Sequence, residues 1–106
     1  MSKAVRFELA LGVFVMLSGA VVLAQSGAAT YKLKCQGCHG MQGKPNPGIA
    51  KAMGVKPASD ASVKALSEAE MIAITTNGKG KMPAYKGKLS DAEIKASVEY
   101  FRTLAK

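Results

Sequence analysis

The sequence is poor in the side chains that usually fill a protein core or supply metal ligands. Its 106 residues include no tryptophan, one histidine and two cysteines, and aromatic residues make up only 6%. One histidine and two cysteines leave a four-coordinate structural zinc site without its fourth ligand. No segment alternates regularly between apolar and polar residues, and no internal repeat is present, so the pattern predicts an all-α domain. A helical domain this small and this short of aromatics needs a further group to complete its core.

Charge is missing from one long stretch near the N-terminus. Two basic residues precede an apolar run of 16 residues, 9–24, which ends with the small residues Val22 and Ala24. A positive start, an apolar middle and a small-residue exit are typical of a secretory signal peptide. An uncleaved membrane anchor is the alternative, but the run is shorter than the roughly 18–20 residues that span a bilayer. We predict a signal peptide at 1–24, an exported domain at 25–106 and a periplasmic location.

Acidic residues are also scarce. The chain has 15 basic and 7 acidic residues, a formal net charge of +8. Removing Lys3, Arg6 and Glu8 with the signal peptide leaves 13 basic and 6 acidic residues, a charge of +7. A basic surface favours acidic partners and encounters that weaken as salt rises. Because the predicted domain is exported and has no nucleic-acid-binding motif, we expect no nucleic-acid partner.

Both cysteines and the only histidine lie together in the string Cys35-Gln36-Gly37-Cys38-His39. A disulfide between residues three apart would close almost no chain and would stabilise little. A redox-active dithiol needs a βαβ context that is absent here, whereas C-x-x-C-H is the haem c attachment motif. Two thiols at this spacing form thioethers along one porphyrin edge, and the next residue reaches the iron. We therefore predict one haem c, bound covalently through Cys35 and Cys38, with His39 as an axial iron ligand.

The second axial ligand must approach from the opposite face, and methionine is a known partner of histidine in cytochromes. Met82 lies in a glycine-rich loop, and Pro83 after it restricts the backbone and stiffens the loop. We predict Met82 as the second ligand, with Met53 in a short helical turn as the competing candidate. The remaining methionines lie in the signal peptide, beside His39 or on the apolar face of a predicted helix: Met1, Met16, Met41 and Met71.

Helix boundaries can be read from caps and glycines. The first helix is predicted from Ser26 to Gly40, and a short turn from Gly48 to Met53. Two capping boxes begin the later helices, which are predicted to end at Asn77-Gly78 and near the C-terminus. The caps and the apolar stripes behind them comprise Ser67, Glu70, Met71, Ile74 and Thr75 in one helix, and Ser90, Glu93, Ile94, Val98, Phe101 and Ala105 in the other.

The segments CQGCHG, GKGKMPAYKGKLSDAEI and VEYFR occur in this order, and residues 25–106 resemble a small bacterial mono-haem class I cytochrome c. The resemblance implies three to five helices wrapped around one haem, with the N- and C-terminal helices packed together. It places Gly27 and Tyr31 against Tyr100 at their crossing. It also implies that a proline carbonyl, from Pro47 or Pro45, accepts a hydrogen bond from His39 Nδ1.

The function expected from these observations is that of a soluble one-electron carrier, with haem iron held by His39 and Met82, and not an enzyme. We expect a monomer without a small-molecule substrate, which meets membranes only through membrane-bound redox partners. Those partners should carry acidic docking patches, since four lysines bracket Met82. We call them the ligand-loop lysines: Lys79, Lys81, Lys86 and Lys88. Two alternatives stay open, a ligand sensor or weak peroxidase with a labile Met82, and a subunit of a larger respiratory complex.

Overall fold

Five helices follow one another along residues 27–106, the part of the chain that the computed structural model describes. Helix α1 covers 27–39, and the others are α2 (Pro47–Met53), α3 (Ala61–Lys64), α4 (Glu68–Asn77) and α5 (Asp91–Thr103). Over this range there is no strand, only isolated bridges, so the predicted all-α fold is confirmed. The predicted signal peptide and the proposed N-cap Ser26 lie outside the described residues.

Membrane-spanning length is not reached by any helix within residues 27–106. None of them combines the length and the hydrophobicity that crossing a bilayer requires.

Helix α1 is not a regular α-helix throughout. Tyr31–Cys35 is π-helical, and the Gln36 N–H donates to the Tyr31 carbonyl five residues earlier. An α-helical turn, Gln36–His39, follows and ends at Gly40, which has the positive φ of 84° that favours glycine. The wider π turn changes how Cys35 and the residues after it are oriented around the helix axis relative to Tyr31. The predicted end of the helix at Gly40 is confirmed, whereas the π segment has no signal in the sequence.

The first and last helices cross in close contact, as predicted. A Cβ added to Gly27 would lie 2.7 Å from the backbone oxygen of Ala96, so only glycine allows this approach. The Tyr31 ring lies 5.2 Å from the ring of Tyr100 and 6.2 Å from that of Phe101, between centroids. The Tyr31 hydroxyl donates to the Gly40 carbonyl at 2.6 Å, which ties the start of α1 to its end.

Both predicted capping boxes are present. The Ser67 hydroxyl accepts from the Glu70 N–H at 3.1 Å, and the Glu70 carboxylate accepts from the Ser67 N–H at 3.3 Å. Ser90 and Glu93 repeat this arrangement at the start of α5. The short helix α3 was not predicted, although Asp60, whose carboxylate caps it, is an N-cap residue type.

The core lies between α4 and α5. Met71, Ile94 and Val98 are buried, and a ring of partly buried apolar side chains packs around them: Val63, Leu66, Ile72, Tyr85, Leu89 and Phe101. Most of the apolar stripes predicted for these two helices are therefore confirmed, whereas Ile74 lines the cavity and Ala105 follows the end of α5. Because few side chains are fully buried, the helices leave space beside this core, and that space is the candidate site.

Candidate functional site

A cavity of about 570 Å³ lies beside the core and is walled by every helix and by the loop between α4 and α5. Its volume is within the range of about 300–1,000 Å³ that small-molecule and cofactor sites occupy. Its aliphatic and aromatic lining includes Val55, Val63, Leu66, Ile74, Val98 and Phe101. Such a lining suits a large apolar group and disfavours water.

Both cysteines of the motif line this cavity as free thiols, Cys35 half-buried and Cys38 exposed. Burial raises the pKa of the Cys35 thiol, and Cys38 nearby adds to the increase, while the Ser97 hydroxyl opposes it. Ser97 belongs to α5 and is itself buried. The last helix thus presents a polar side chain to the first cysteine of the motif.

His39 lies on the same wall, with its ring against Phe101 in an edge-on contact, 5.2 Å between centroids. Burial lowers the pKa of this imidazole, which favours the neutral form that binds metals. Its Nδ1 atom is buried and has no hydrogen-bond partner. The predicted acceptor, the carbonyl of Pro47 or Pro45, is therefore wrong for this structure, because neither carbonyl meets Nδ1. The imidazole ring is therefore held by its contact with Phe101 and not by a hydrogen bond at Nδ1.

Met82 faces the motif from the loop 78–89, which we call the ligand loop. The loop begins with a tight turn, in which the Met82 N–H donates to the Lys79 carbonyl at 3.0 Å and the Lys79 N–H donates to the Met82 carbonyl at 3.1 Å. Gly78 allows this turn, since its φ is 79° and an added Cβ would lie 2.9 Å from the Met82 carbonyl oxygen. Met82 is half-buried and lines the cavity, together with Pro83.

Two helices hold the ligand loop in place. The backbone N–H groups of Tyr85 and Lys86 donate to the carbonyls of Thr75 and Thr76 in α4, at 3.0 and 3.1 Å. The Tyr85 hydroxyl donates to the Lys34 carbonyl at 3.1 Å, one residue before the first cysteine of the motif. The loop that carries Met82 is therefore fixed relative to the helix that carries the two cysteines.

Three methionines line the cavity, and their surroundings differ. Met71 is buried in α4, and its sulfur accepts from Arg102 Nη1 at 3.7 Å. Met53 is the last residue of α2 and is 38% exposed. Met82 sits on a loop braced from two sides. Met41 is 67% exposed and does not line the cavity.

Haem c fits the groups that meet here. The cavity has the size of a cofactor site, two free thiols lie on its wall, and beside them lies an imidazole whose pKa is lowered by burial. Across residues 27–106, no cluster of three or more histidine, cysteine, aspartate or glutamate side chains could hold a metal ion alone. The fold and the cavity define a helical domain with room for one cofactor beside its two cysteines.

Comparison with known proteins identifies the family. Residues 22–101 match the family model described as cytochrome c oxidase, cbb3-type, subunit III. Cytochrome c6 of Leptolyngbya boryana is 40% identical over 77 residues, which cover 73% of this chain and 87% of that protein. The solved structure of KustC0563 c-type cytochrome is similar with a TM-score of 0.68 and 30% identity, over 76% of this chain and 98% of that one. The chain belongs to the cytochrome c family, as a small class I c-type cytochrome.

Membership of this family settles the cofactor and the general role. The chain carries covalently bound haem c with iron, and it is an electron carrier that works with redox partner proteins. The predicted family, fold class and cofactor are confirmed. Sequence reasoning did not foresee the contact of Phe101 with His39 or the place of Ser97 beside Cys35. Both residues lie on the inner face of α5, where the sequence indicates only core packing.

Proposed function

We propose that the protein is an exported one-electron carrier in which Cys35 and Cys38 attach haem c and His39 and Met82 bind its iron. The observation that carries this proposal is that these four side chains line one cavity, although Met82 is far from the others in sequence. When bound, haem c supplies an iron that accepts and releases one electron.

Each of the four side chains has a distinct part. The two thiols would hold the cofactor on α1 as thioethers, each S–H adding across a vinyl double bond of the haem, and this would prevent its loss from so small a domain. His39 binds as the neutral imidazole, with its ring packed against Phe101. Met82 presents its sulfur from the braced ligand loop. His39 and Met82 together would hold the iron with the chain's own side chains and would leave no place for a substrate, which is why we propose a carrier and not an enzyme.

The side chains around the site affect the reduction potential of the cofactor. Ile74 and Val98 are among the apolar side chains that line the cavity and would surround the cofactor. An apolar surrounding and a thioether ligand both disfavour the extra positive charge of the ferric state. We therefore expect a higher reduction potential than a solvent-exposed haem with two nitrogen ligands would have.

The ligand-loop lysines support the proposal that acidic partners dock here. All four are exposed, and Lys79 and Lys81 lie at the cavity itself. A cluster of positive charge beside the site accelerates encounters with acidic surfaces and fixes their orientation. We propose that the protein acts as a monomer outside the cytoplasmic membrane, after removal of residues 1–24, and meets membranes through membrane-bound partners.

A second candidate function follows from the description of the matching family, which names a subunit of an oxidase. In that role the chain would deliver electrons within a complex and would not diffuse between partners. Size-exclusion chromatography of a native extract separates the two roles. A haem-containing peak at the size of the free domain supports the carrier, and one found only at high mass supports the subunit.

The proposed ligation is tested by optical spectra of the haem-loaded protein in both oxidation states, with and without carbon monoxide. We expect a low-spin spectrum, a far-red sulfur-to-iron band in the ferric form and no response to carbon monoxide. Met82→Ala should lose the far-red band and bind carbon monoxide, and Met53→Ala, the matched control at the same cavity, should retain the band. Loss of the band in Met53→Ala alone would make Met53 the ligand. A wild-type protein that binds carbon monoxide readily would favour the sensor or peroxidase alternative.

A further inference from the structure

One ligand-loop lysine makes a contact that its neighbours in the loop do not. The Lys81 ammonium donates to the backbone carbonyl of Ala52 at 2.6 Å. Ala52 lies in the last turn of α2, whose final carbonyls lack partners within the helix. A cation at the C-terminal end of a helix is also favoured by the helix dipole. Lys81 therefore meets a carbonyl that needs a donor, at a place where its charge is favourable.

This contact joins two walls of the cavity. On one side, the end of α2 and the chain after it supply Met53, Gly54 and Val55, and on the other the ligand loop supplies Met82. The backbone N–H groups of the loop donate to carbonyls of α4, and the Tyr85 hydroxyl donates to a carbonyl of α1. Within the described part of the chain, Lys81 makes the one side-chain hydrogen bond between the ligand loop and α2.

Lys81 directly precedes Met82, so a bond that holds the Lys81 side chain at α2 also restrains the backbone that presents the Met82 sulfur. If Lys81 were released, the turn 79–82 would keep its own two backbone bonds but would lose its attachment to the α2 wall. The turn could then move away from the cavity without disturbing the bonds of Tyr85 and Lys86 to α4.

We propose that Lys81 is a positioning residue that latches the ligand loop onto α2 and thereby keeps the Met82 sulfur at the iron. The inference rests on the proposed ligation by Met82. It gives Lys81 a role in addition to the docking role that it shares with the other ligand-loop lysines, because its exposed ammonium also donates to the Ala52 carbonyl. Removing the latch raises the fraction of time that Met82 is detached and leaves the helices intact.

The test measures how often Met82 leaves the iron, with cyanide as the probe in the ferric haem-loaded protein. At saturating cyanide the binding rate is limited by detachment of Met82. The variants are Lys81→Ala, which removes the latch, and Lys81→Arg, which keeps a long cationic donor. Lys51→Ala is the matched control, since it removes the same charge from an exposed position one residue before the accepting carbonyl.

We expect Lys81→Ala to raise the limiting rate roughly fivefold, the factor that corresponds to the usual net worth of one hydrogen bond. Lys81→Arg and Lys51→Ala should stay close to wild type. On heating, Lys81→Ala should lose the far-red band at a lower temperature than wild type, while its far-UV circular dichroism keeps the wild-type transition.

Two results would overturn the latch. One is a Lys81→Ala rate equal to that of wild type, and the other is an equal increase in Lys81→Ala and Lys51→Ala with Lys81→Arg unchanged, which would reveal a general charge effect. Failure of the underlying ligation looks different, because the wild-type protein would then lack the far-red band or Met82→Ala would retain it. In either case both the ligation and the latch are rejected, whereas a band that is present in wild type and lost in Met82→Ala, together with an unchanged Lys81→Ala rate, rejects the latch alone.

Discussion

Replacing Gly27 with alanine tests the crossing of α1 and α5. The new Cβ would lie 2.7 Å from the Ala96 backbone oxygen, 3.1 Å from its carbonyl carbon and 3.4 Å from its Cβ. Carbon atoms in proteins essentially never approach an oxygen to 2.7 Å, so the two helices must separate by several tenths of an ångström. Because the clash is with a backbone atom, it cannot be relieved by a change of rotamer. The separation of the helices would therefore weaken the contacts of Tyr31 next to the crossing.

Two opposing terms set the expected change in unfolding free energy. Alanine is more favourable than glycine in a helix by at most about 1 kcal/mol. Overpacking a close contact costs about 1–3 kcal/mol. Gly37→Ala measures the first term alone, since Gly37 is in the same helix and an added Cβ there meets nothing within 4 Å, so the difference between the two variants isolates the second term. We expect Gly27→Ala to be about 1–3 kcal/mol less stable than Gly37→Ala.

Thermal unfolding of the two haem-loaded variants, followed by far-UV circular dichroism, measures this difference. For a domain of this size, each 1 kcal/mol shifts Tm by roughly 4–8 °C. Gly27→Ala should therefore unfold at a temperature lower by at least several degrees. Equal Tm values for the two variants would show that α1 and α5 do not need glycine at their crossing, and the packing argument would be wrong.

Three further predictions concern pH, capping and docking. Burial raises the pKa of Tyr31 from 10.0 to about 12, so folded chains keep a proton that unfolded chains release between these values. The free energy of unfolding should therefore fall as pH rises from 10 towards 12, and it should fall by less in Tyr31→Phe than in wild type. The same dependence of unfolding free energy on pH in both proteins would contradict this. Ser90→Ala should lower the unfolding free energy by about 1 kcal/mol in urea titrations, whereas Ser90→Asp, which keeps a capping oxygen, should not. Electron transfer to an acidic partner should slow as ionic strength rises, because salt screens charges within about 8 Å at physiological ionic strength. A transfer rate that does not depend on salt, or that does not fall after Lys→Glu changes in the ligand loop, would exclude electrostatic steering of the partner.

The sequence alone determined the features that depend on neighbours along the chain. The C-x-x-C-H string is recognised without tertiary information, because Cys35, Cys38 and His39 lie within five consecutive residues. The caps at Ser67 and Ser90 are equally local, since each bond joins residues three apart. Apolar periodicity likewise indicated which faces of α4 and α5 are buried.

Tertiary structure decided what depends on residues distant in sequence. The contact of Phe101 with His39, the place of Ser97 near Cys35 and the bond from Lys81 to Ala52 each join separate elements, so no local pattern encodes them. The failed prediction of a proline carbonyl at His39 Nδ1 has the same origin, because the path of the chain after Gly40 is set by packing. The cavity itself arises because five helices with few large side chains cannot fill the space between them, and a covalent cofactor completes that core.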